Sequence, residues 1–171
     1  MKVIDLAELG NSPKRVEVRI PVGEIVLDAE NVRLVDEVAF RADVARNEAG
    51  VSLKGTIGLK VELDCTRCLN AVPHTTDISF DVNYVSPEQF AAEKEHEIQA
   101  VDLETDVLEG DRIDVREIVR EQILLDLPEQ VFCKPDCKGL CPICGADRNL
   151  INCSCEEAEI DPRWAALKNL K

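Results

Sequence analysis

The sequence predicts an α+β protein: an antiparallel β-sheet with a packing helix and a small cysteine-rich, zinc-binding C-terminal tail. Three observations predict it. Runs of sequence between residues 15 and 84 alternate apolar with polar side chains, the period of a half-buried strand. Val115, Ile118, Val119 and Ile123 recur instead on one helical face. Finally, six of the eight cysteines fall within the last thirty-nine residues. The expected organisation is an α+β domain over 1–130, with an acidic segment at 81–132, and the tail over 131–171.

The strands come first. Arg15-Val16-Glu17-Val18-Arg19-Ile20 alternates charged and apolar residues, and Val38, Phe40, Ala42 and Val44 alternate likewise. Asn47-Glu48-Ala49-Gly50 supplies turn chemistry, after which Val51, Leu53, Gly55, Ile57, Leu59, Val61 and Leu63 alternate back. That is the pattern of a long β-hairpin. Ile78, Phe80, Val82 and Tyr84 form a third strand, so the three read as an antiparallel meander. Pro87–Lys94 has the composition of a short helix, and the acidic stretch from there to Gly110 reads as loop. Asp114-Val115-Arg116-Glu117 has the form of a capping box, and Pro128 ends the helix it opens. Asp161-Pro162-Arg163 opens a last helix with Trp164, Leu167 and Leu170 on one face.

Composition narrows the function. The net charge is −14, and residues 81–132 alone carry fifteen acidic against four basic side chains. Such a surface repels phosphate backbones and attracts a basic protein; the plainer reading is a solvated acidic loop. Charges interrupt the first residues where a signal peptide needs an apolar run, and no stretch approaches transmembrane length. A cytoplasmic protein with no membrane partner is therefore expected. In a reducing compartment, eight cysteines point to metal or redox chemistry before disulfides.

The strongest chemical signal is Cys141-Pro142-Ile143-Cys144-Gly145. Two thiolates three residues apart can grip one ion, Pro stiffens the loop, and Gly lets the backbone turn so that amide N–H groups face the sulfurs. Tetrahedral Zn²⁺ needs two more ligands. Cys133, Cys137, Cys153 and Cys155 are the nearby candidates, giving four ligands from six thiols. Cys65-Thr66-Arg67-Cys68 is a second pair and a possible second site; eight thiols divide into two four-cysteine sites, one of which would join this pair to the tail. The tail has few large apolar side chains before its last ten residues, so a cross-link must stand in for a core. An iron–sulfur cluster also accepts four thiolates, but the Cys-Pro-x-Cys-Gly sequence favours zinc. A redox Cys-x-x-Cys needs a strand–helix context, whereas Cys65 follows a strand in a meander. No residue reads as catalytic, and no small-molecule substrate is expected. His74 and His96 read as surface residues and Trp164 as a packing anchor.

Cys65-Thr66-Arg67-Cys68-Leu69, Glu121-Gln122-Ile123-Leu124-Leu125-Asp126-Leu127-Pro128 and the block from Cys133 and Cys137 through Lys138-Gly139-Leu140-Cys141-Pro142 to Cys144-Gly145, with Asn149 and Asp161-Pro162-Arg163, resemble the YceD family. These are the large ribosomal RNA subunit accumulation proteins of bacteria and plastids. The resemblance runs in order from the first hairpin to the last helix. It implies a non-catalytic ribosome-assembly factor that supports accumulation of large-subunit (23S) ribosomal RNA. Some members keep the Cys-x-Arg-Cys pair without most of the tail cysteines, which implies that the first pair can serve alone. With so acidic a chain, the expected partner is a basic ribosomal protein or a precursor particle. Direct contact with ribosomal RNA or a partner would fall to Arg67, Lys134, Lys138 and Arg148. The alternative is a thiol-redox or metal-sensing protein using Cys65 and Cys68.

Overall fold

In a computed structural model, residues 2–10, 12–47, 50–92, 105–108, 110–155 and 163 are described. The chain divides into two compact units, one of Met1–Leu63 with Pro73–Glu129, the other of Asp64–Val72 with Gln130–Lys171. The short segment around Cys65 and Cys68 thus belongs with the tail and not with the strands that flank it in sequence.

The first unit is built on a sheet. Its strands are β1 (Val3–Asp5), β2 (Lys14–Ile20), β3 (Val32–Leu34), β4 (Val38–Asn47), β5 (Gly50–Asp64), β6 (Ala71–Val85), β7 (Thr105–Val107) and β8 (Arg112–Asp114). The main sheet has the order β2-β4-β5-β6-β7, with β3 also on β5, while β1 and β8 form a separate antiparallel pair. β5 is long enough to serve two partners along one edge: β4 pairs with Gly50–Gly58 and β3 with Val61–Leu63. Alternation along these strands sends one face inward. Val38, Phe40, Ala42 and Val44 of β4 are buried, as are Val51, Leu53, Ile57, Leu59, Val61 and Leu63 of β5. Phe40 stacks on Phe80 with ring centroids 5.5 Å apart. The outer strand β2 keeps its charged residues at the surface, and Arg15 pairs with Asp43 across the ladder to β4 at 3.0 Å. Charges of this kind blunt an exposed sheet edge against further pairing.

One expectation needs correction. The sheet is mixed, not purely antiparallel, because β7 pairs parallel to β6 through Asn83–Thr105, Tyr84–Asp106 and Val85–Val107. β7 lies inside the acidic stretch read as loop. Three residues are too few to display an alternating pattern, so pairing here is decided by the neighbouring strand and not by local sequence. A parallel neighbour also requires a crossover, and the chain between β6 and β7 supplies it, beginning with the helix α1 (Pro87–Ala92). Glu93 and Lys94, also expected to be helical, lie outside the described residues, as do Glu48 and Ala49 of the hairpin turn and the terminal helix apart from Arg163.

Helix α2 (Val115–Asp126) follows β8 directly and buries the expected face, Val115, Ile118, Val119 and Ile123. It is tied to the sheet unit by Arg120, which donates to the Val26 carbonyl at 3.0 Å and to Asp28 at 2.9 Å, and by Asp126, which accepts from Thr76 of β6 at 3.4 Å. Asp114 caps the helix: its Oδ1 accepts the Arg116 N–H at 2.9 Å, and the Arg116 guanidinium folds back onto the same carboxylate. The Arg116 bonds hold the Asp114 carboxyl below its ordinary range against a smaller opposing effect of burial. Asp114→Ala should cost about 1 kcal/mol, the usual worth of an N-cap. Because the folded value is lowered, the capping contribution is present above the ordinary carboxylate range and disappears as pH falls through the lowered value. Denaturant unfolding of both proteins at neutral and strongly acidic pH should show the difference shrinking in acid.

Candidate metal centre

Among its described residues, the second unit has almost no apolar core. Its buried cluster consists of Cys65, Cys68 and Cys137, with Val72 and Leu140 packed against it. Leu150, Ile151 and Ile143 are all exposed. Hydrophobic burial on this scale cannot offset the entropy of ordering these described segments, so their organisation must rest on polar contacts and the thiols.

Eight cysteines form two groups of four. Cys65, Cys68, Cys133 and Cys137 have all their sulfurs within 4.8 Å of one another, and so do Cys141, Cys144, Cys153 and Cys155. Of the six tail cysteines, Cys133 and Cys137 therefore lie with Cys65 and Cys68, while the other four stand together. None is in a disulfide. Sulfur separations in the first group are 3.9 Å for Cys65–Cys137 and 3.5 Å for Cys68–Cys133. Four thiolates around tetrahedral Zn²⁺, at Zn–S of about 2.3 Å, would stand about 3.8 Å apart. The donor set of both groups and these two separations in the first fit that ion, and each group could hold a metal ion.

Backbone geometry explains how two different sequences make the same grip. Within Cys141–Ala146, the Gly145 N–H donates to the Cys141 carbonyl at 2.9 Å, and the Cys141 N–H donates to the Ala146 carbonyl at 2.8 Å. Within Cys65–Asn70, the Leu69 N–H donates to the Cys65 carbonyl at 2.9 Å, and the Cys65 N–H to the Asn70 carbonyl at 2.9 Å. The two turns are equivalent position by position. The residue after the second cysteine is left-handed in both, with φ of 71° at Gly145 and 59° at Leu69. Glycine takes that conformation freely, whereas leucine does so at a cost. Leu69 is the residue that sequence reasoning missed, since nothing in a leucine announces a left-handed turn; the signal was its place in the Cys-x-x-Cys frame.

The sulfurs are also prepared electrostatically. Burial opposes ionisation of Cys65, but N–H groups of Cys133, Arg67 and Cys68 outweigh it and bring the thiol down to about 6. In the second group, the N–H groups of Cys144 and Ile143 bring Cys141 down to about 6. Their neighbours move the other way: contact with Cys68 pushes Cys133 up to about 12, and contact with Cys144 pushes Cys155 up to about 12. The first group thus favours thiolate at Cys65 and Cys137 and the second at Cys141, and each resists accumulating further negative charge, the situation a bound cation relieves.

Side chains around the groups are donors. Asn149 Nδ2 donates to the Cys137 sulfur at 3.4 Å, while Arg148 Nη2 lies 4.0 Å from the Cys141 sulfur. Consecutive residues therefore reach different groups. Asn149 is itself fixed: its amide donates to Asp147 Oδ1 at 2.7 Å and its Oδ1 accepts the Lys138 N–H at 3.0 Å. Outer partners of this kind orient ligands and tune them.

Arg67 does not project freely. Its guanidinium donates to the Cys137 carbonyl at 2.9 Å and lies 4.4 Å from the centre of the Phe132 ring. Its own carbonyl accepts the Leu140 N–H at 2.9 Å. Arg148 is half-buried against Cys141, while Lys134 and Lys138 are exposed. His74 is exposed and His96 lies outside the described residues. Among the described residues no helix is long and apolar enough to cross a membrane.

Two glycines give a graded test of this backbone. Gly145 has φ of 71° with open space around a Cβ; Gly139 shares that φ, but a Cβ there would lie 2.9 Å from the Arg67 carbonyl oxygen. Gly145→Ala should cost about 1 kcal/mol, from conformation alone. Gly139→Ala should cost more, because backbone must also shift. Thermal unfolding followed by release of the thiols should rank them in that order; equal losses would contradict it.

Residues 53–171 match the family model described as large ribosomal RNA subunit accumulation protein YceD. The chain belongs to the YceD family. Its match includes both cysteine groups, helix α2, strands β6, β7 and β8 and most of β5. Relatives of this chain include the uncharacterized protein YlbN of Bacillus subtilis, 35% identical over 154 residues, covering 88% of this chain and 84% of that protein. An uncharacterized protein of Mycobacterium tuberculosis is 29% identical over 170 residues, covering 96% of this chain and 78% of the relative. A maize chloroplast protein, named as a homologue of large ribosomal RNA subunit accumulation protein YCED, is 24% identical over 160 residues, covering 78% of this chain and 54% of its own length. No solved structure matches the chain.

Proposed function

We propose that this YceD-family chain is a non-catalytic ribosome-assembly factor that supports accumulation of large-subunit (23S) ribosomal RNA. The observation that carries the reading is the family match over residues 53–171, together with plant relatives named for that role. Both cysteine groups hold Zn²⁺ as a structural ion, in a cytoplasmic protein. When bound, the ion cross-links four thiolates and leaves no open position for water, so it holds the fold and performs no hydrolysis. The acidic sheet unit receives a basic ribosomal protein or a precursor particle. Any contact with ribosomal RNA or a partner falls to Arg67, Lys134, Lys138 and Arg148, of which the first three are exposed and the last half-buried.

The redox alternative is disfavoured by access. Cys65 and Cys68 are only 0% and 4% exposed, and each lies against a tail cysteine, so neither is poised to meet an oxidised partner. Gradient fractionation of cells carrying the tagged protein tests the role. Co-sedimentation with large-subunit precursors, and a fall in 23S relative to 16S RNA on depletion, is expected. A protein confined to the top of the gradient, with an unchanged RNA ratio on depletion, would refute it. For the partner, pull-down should recover a basic ribosomal protein. Recovery of RNA alone, unaffected by reversing the charges between Glu93 and Asp111, would contradict that part.

A further inference from the structure

Away from the cysteines, the sheet unit holds a cleft of about 390 Å³ between β7, β8 and the first turns of α2. Tyr84 forms its floor and is only 8% exposed. The carboxylates of Asp106, Glu117 and Glu121 stand around the phenol, close enough for each to oppose its ionisation alongside burial. Two other charged groups of the lining are already matched, Arg112 to Asp5 at 3.5 Å and Asp114 to Arg116. Asp106 accepts the neighbouring Val107 N–H at 2.7 Å. Among the described residues, Arg120 and Arg116 lie near enough to act on Glu121 and Glu117, but neither forms an ion pair with them, and no side chain is hydrogen-bonded to the Tyr84 hydroxyl.

The Tyr84 hydroxyl opens on the cleft and offers an acceptor there, and three carboxylates facing the same space repel one another. One occupant suits both. We infer that this cleft takes the cationic side chain of an arginine or lysine presented by a basic protein. A guanidinium can donate to the phenol oxygen and to the surrounding carboxylates at once. A hard metal ion would find fewer good ligands, since a neutral phenol is a poor substitute for carboxylate oxygen. This inference rests on the proposed partner of the acidic unit and names the place where that partner is gripped.

Tyr84 is the single tyrosine in the chain, so ring-labelled tyrosine gives one NMR signal that reports the floor of the cleft. The full chain would be titrated with N-acetyl-arginine amide, with the neutral citrulline analogue, and with magnesium chloride. The Tyr84 signal should shift saturably with arginine and not with citrulline or magnesium. In the Glu117→Gln, Glu121→Gln double variant the half-saturation should rise by about tenfold or more, the effect of a lost charge-assisted hydrogen bond. Equal shifts with arginine and citrulline, a response to magnesium alone, or an unaffected double variant would each overturn the inference. The gradient experiment separates the two claims. Sedimentation with precursors but no arginine response removes the cleft and keeps the assembly role; the converse removes the role and keeps a cation-binding cleft.

Discussion

Cys137→Ser is expected to lower bound zinc from two equivalents per chain to one and to disorder the segments that meet at its group. Cys137 is buried, its sulfur lies 3.9 Å from that of Cys65, and it accepts from Asn149. Serine keeps the size and removes the soft anionic ligand that zinc requires. Structural zinc sites contribute on the order of 10 kcal/mol of folding free energy, comparable to the whole stability of a domain. The apolar contacts around it, Val72 and Leu140 against three cysteines, cannot replace that contribution. Hydrogen exchange should therefore quicken at the amides now bonded across the group, among them Thr66 to Val131 and Leu140 to Arg67. Retention of two zinc equivalents with unchanged exchange would contradict the account.

Phe40→Ala is the other change with a large expected effect. Phe40 is fully buried on β4 and stacks on Phe80. The chain has only four phenylalanines, one tyrosine and one tryptophan, so its core is mostly aliphatic and this pair supplies much of its bulk. Truncation removes the transfer free energy of the ring and leaves a cavity that the flanking strands, fixed by their ladders, cannot close. A loss of about 3–5 kcal/mol is expected. Urea unfolding should show a lower midpoint at unchanged slope. A loss below about 1 kcal/mol would mean that the site collapses around the gap.

Where residues repeat regularly, the sequence was easily legible. The alternation of β4 and β5 and the helical spacing of Val115, Ile118, Val119 and Ile123 each describe a buried face directly. β1, β3, β7 and β8 were not legible, because three-residue strands carry no period and are defined by their partners. At the metal groups, Cys141 and Cys144 announced themselves through Pro142 and Gly145. The grouping of Cys65 and Cys68 with Cys133 and Cys137 depends on contacts some seventy residues apart, which spacing alone leaves open. Arg67 shows the same limit. A fork between two cysteines suggests an outward-facing contact, yet Phe132 and the Cys137 carbonyl hold it, and both are distant in sequence.

The central claim is that two zinc ions, each held by four cysteines, organise the unit made of Asp64–Val72 and Gln130–Lys171. Metal analysis of the protein as purified, with thiol titration before and after a strong chelator, tests it most directly. Two zinc equivalents per chain are predicted, with all eight thiols masked until chelation exposes them. Zinc-free protein whose eight thiols react at once, or one equivalent with four thiols free, would contradict it.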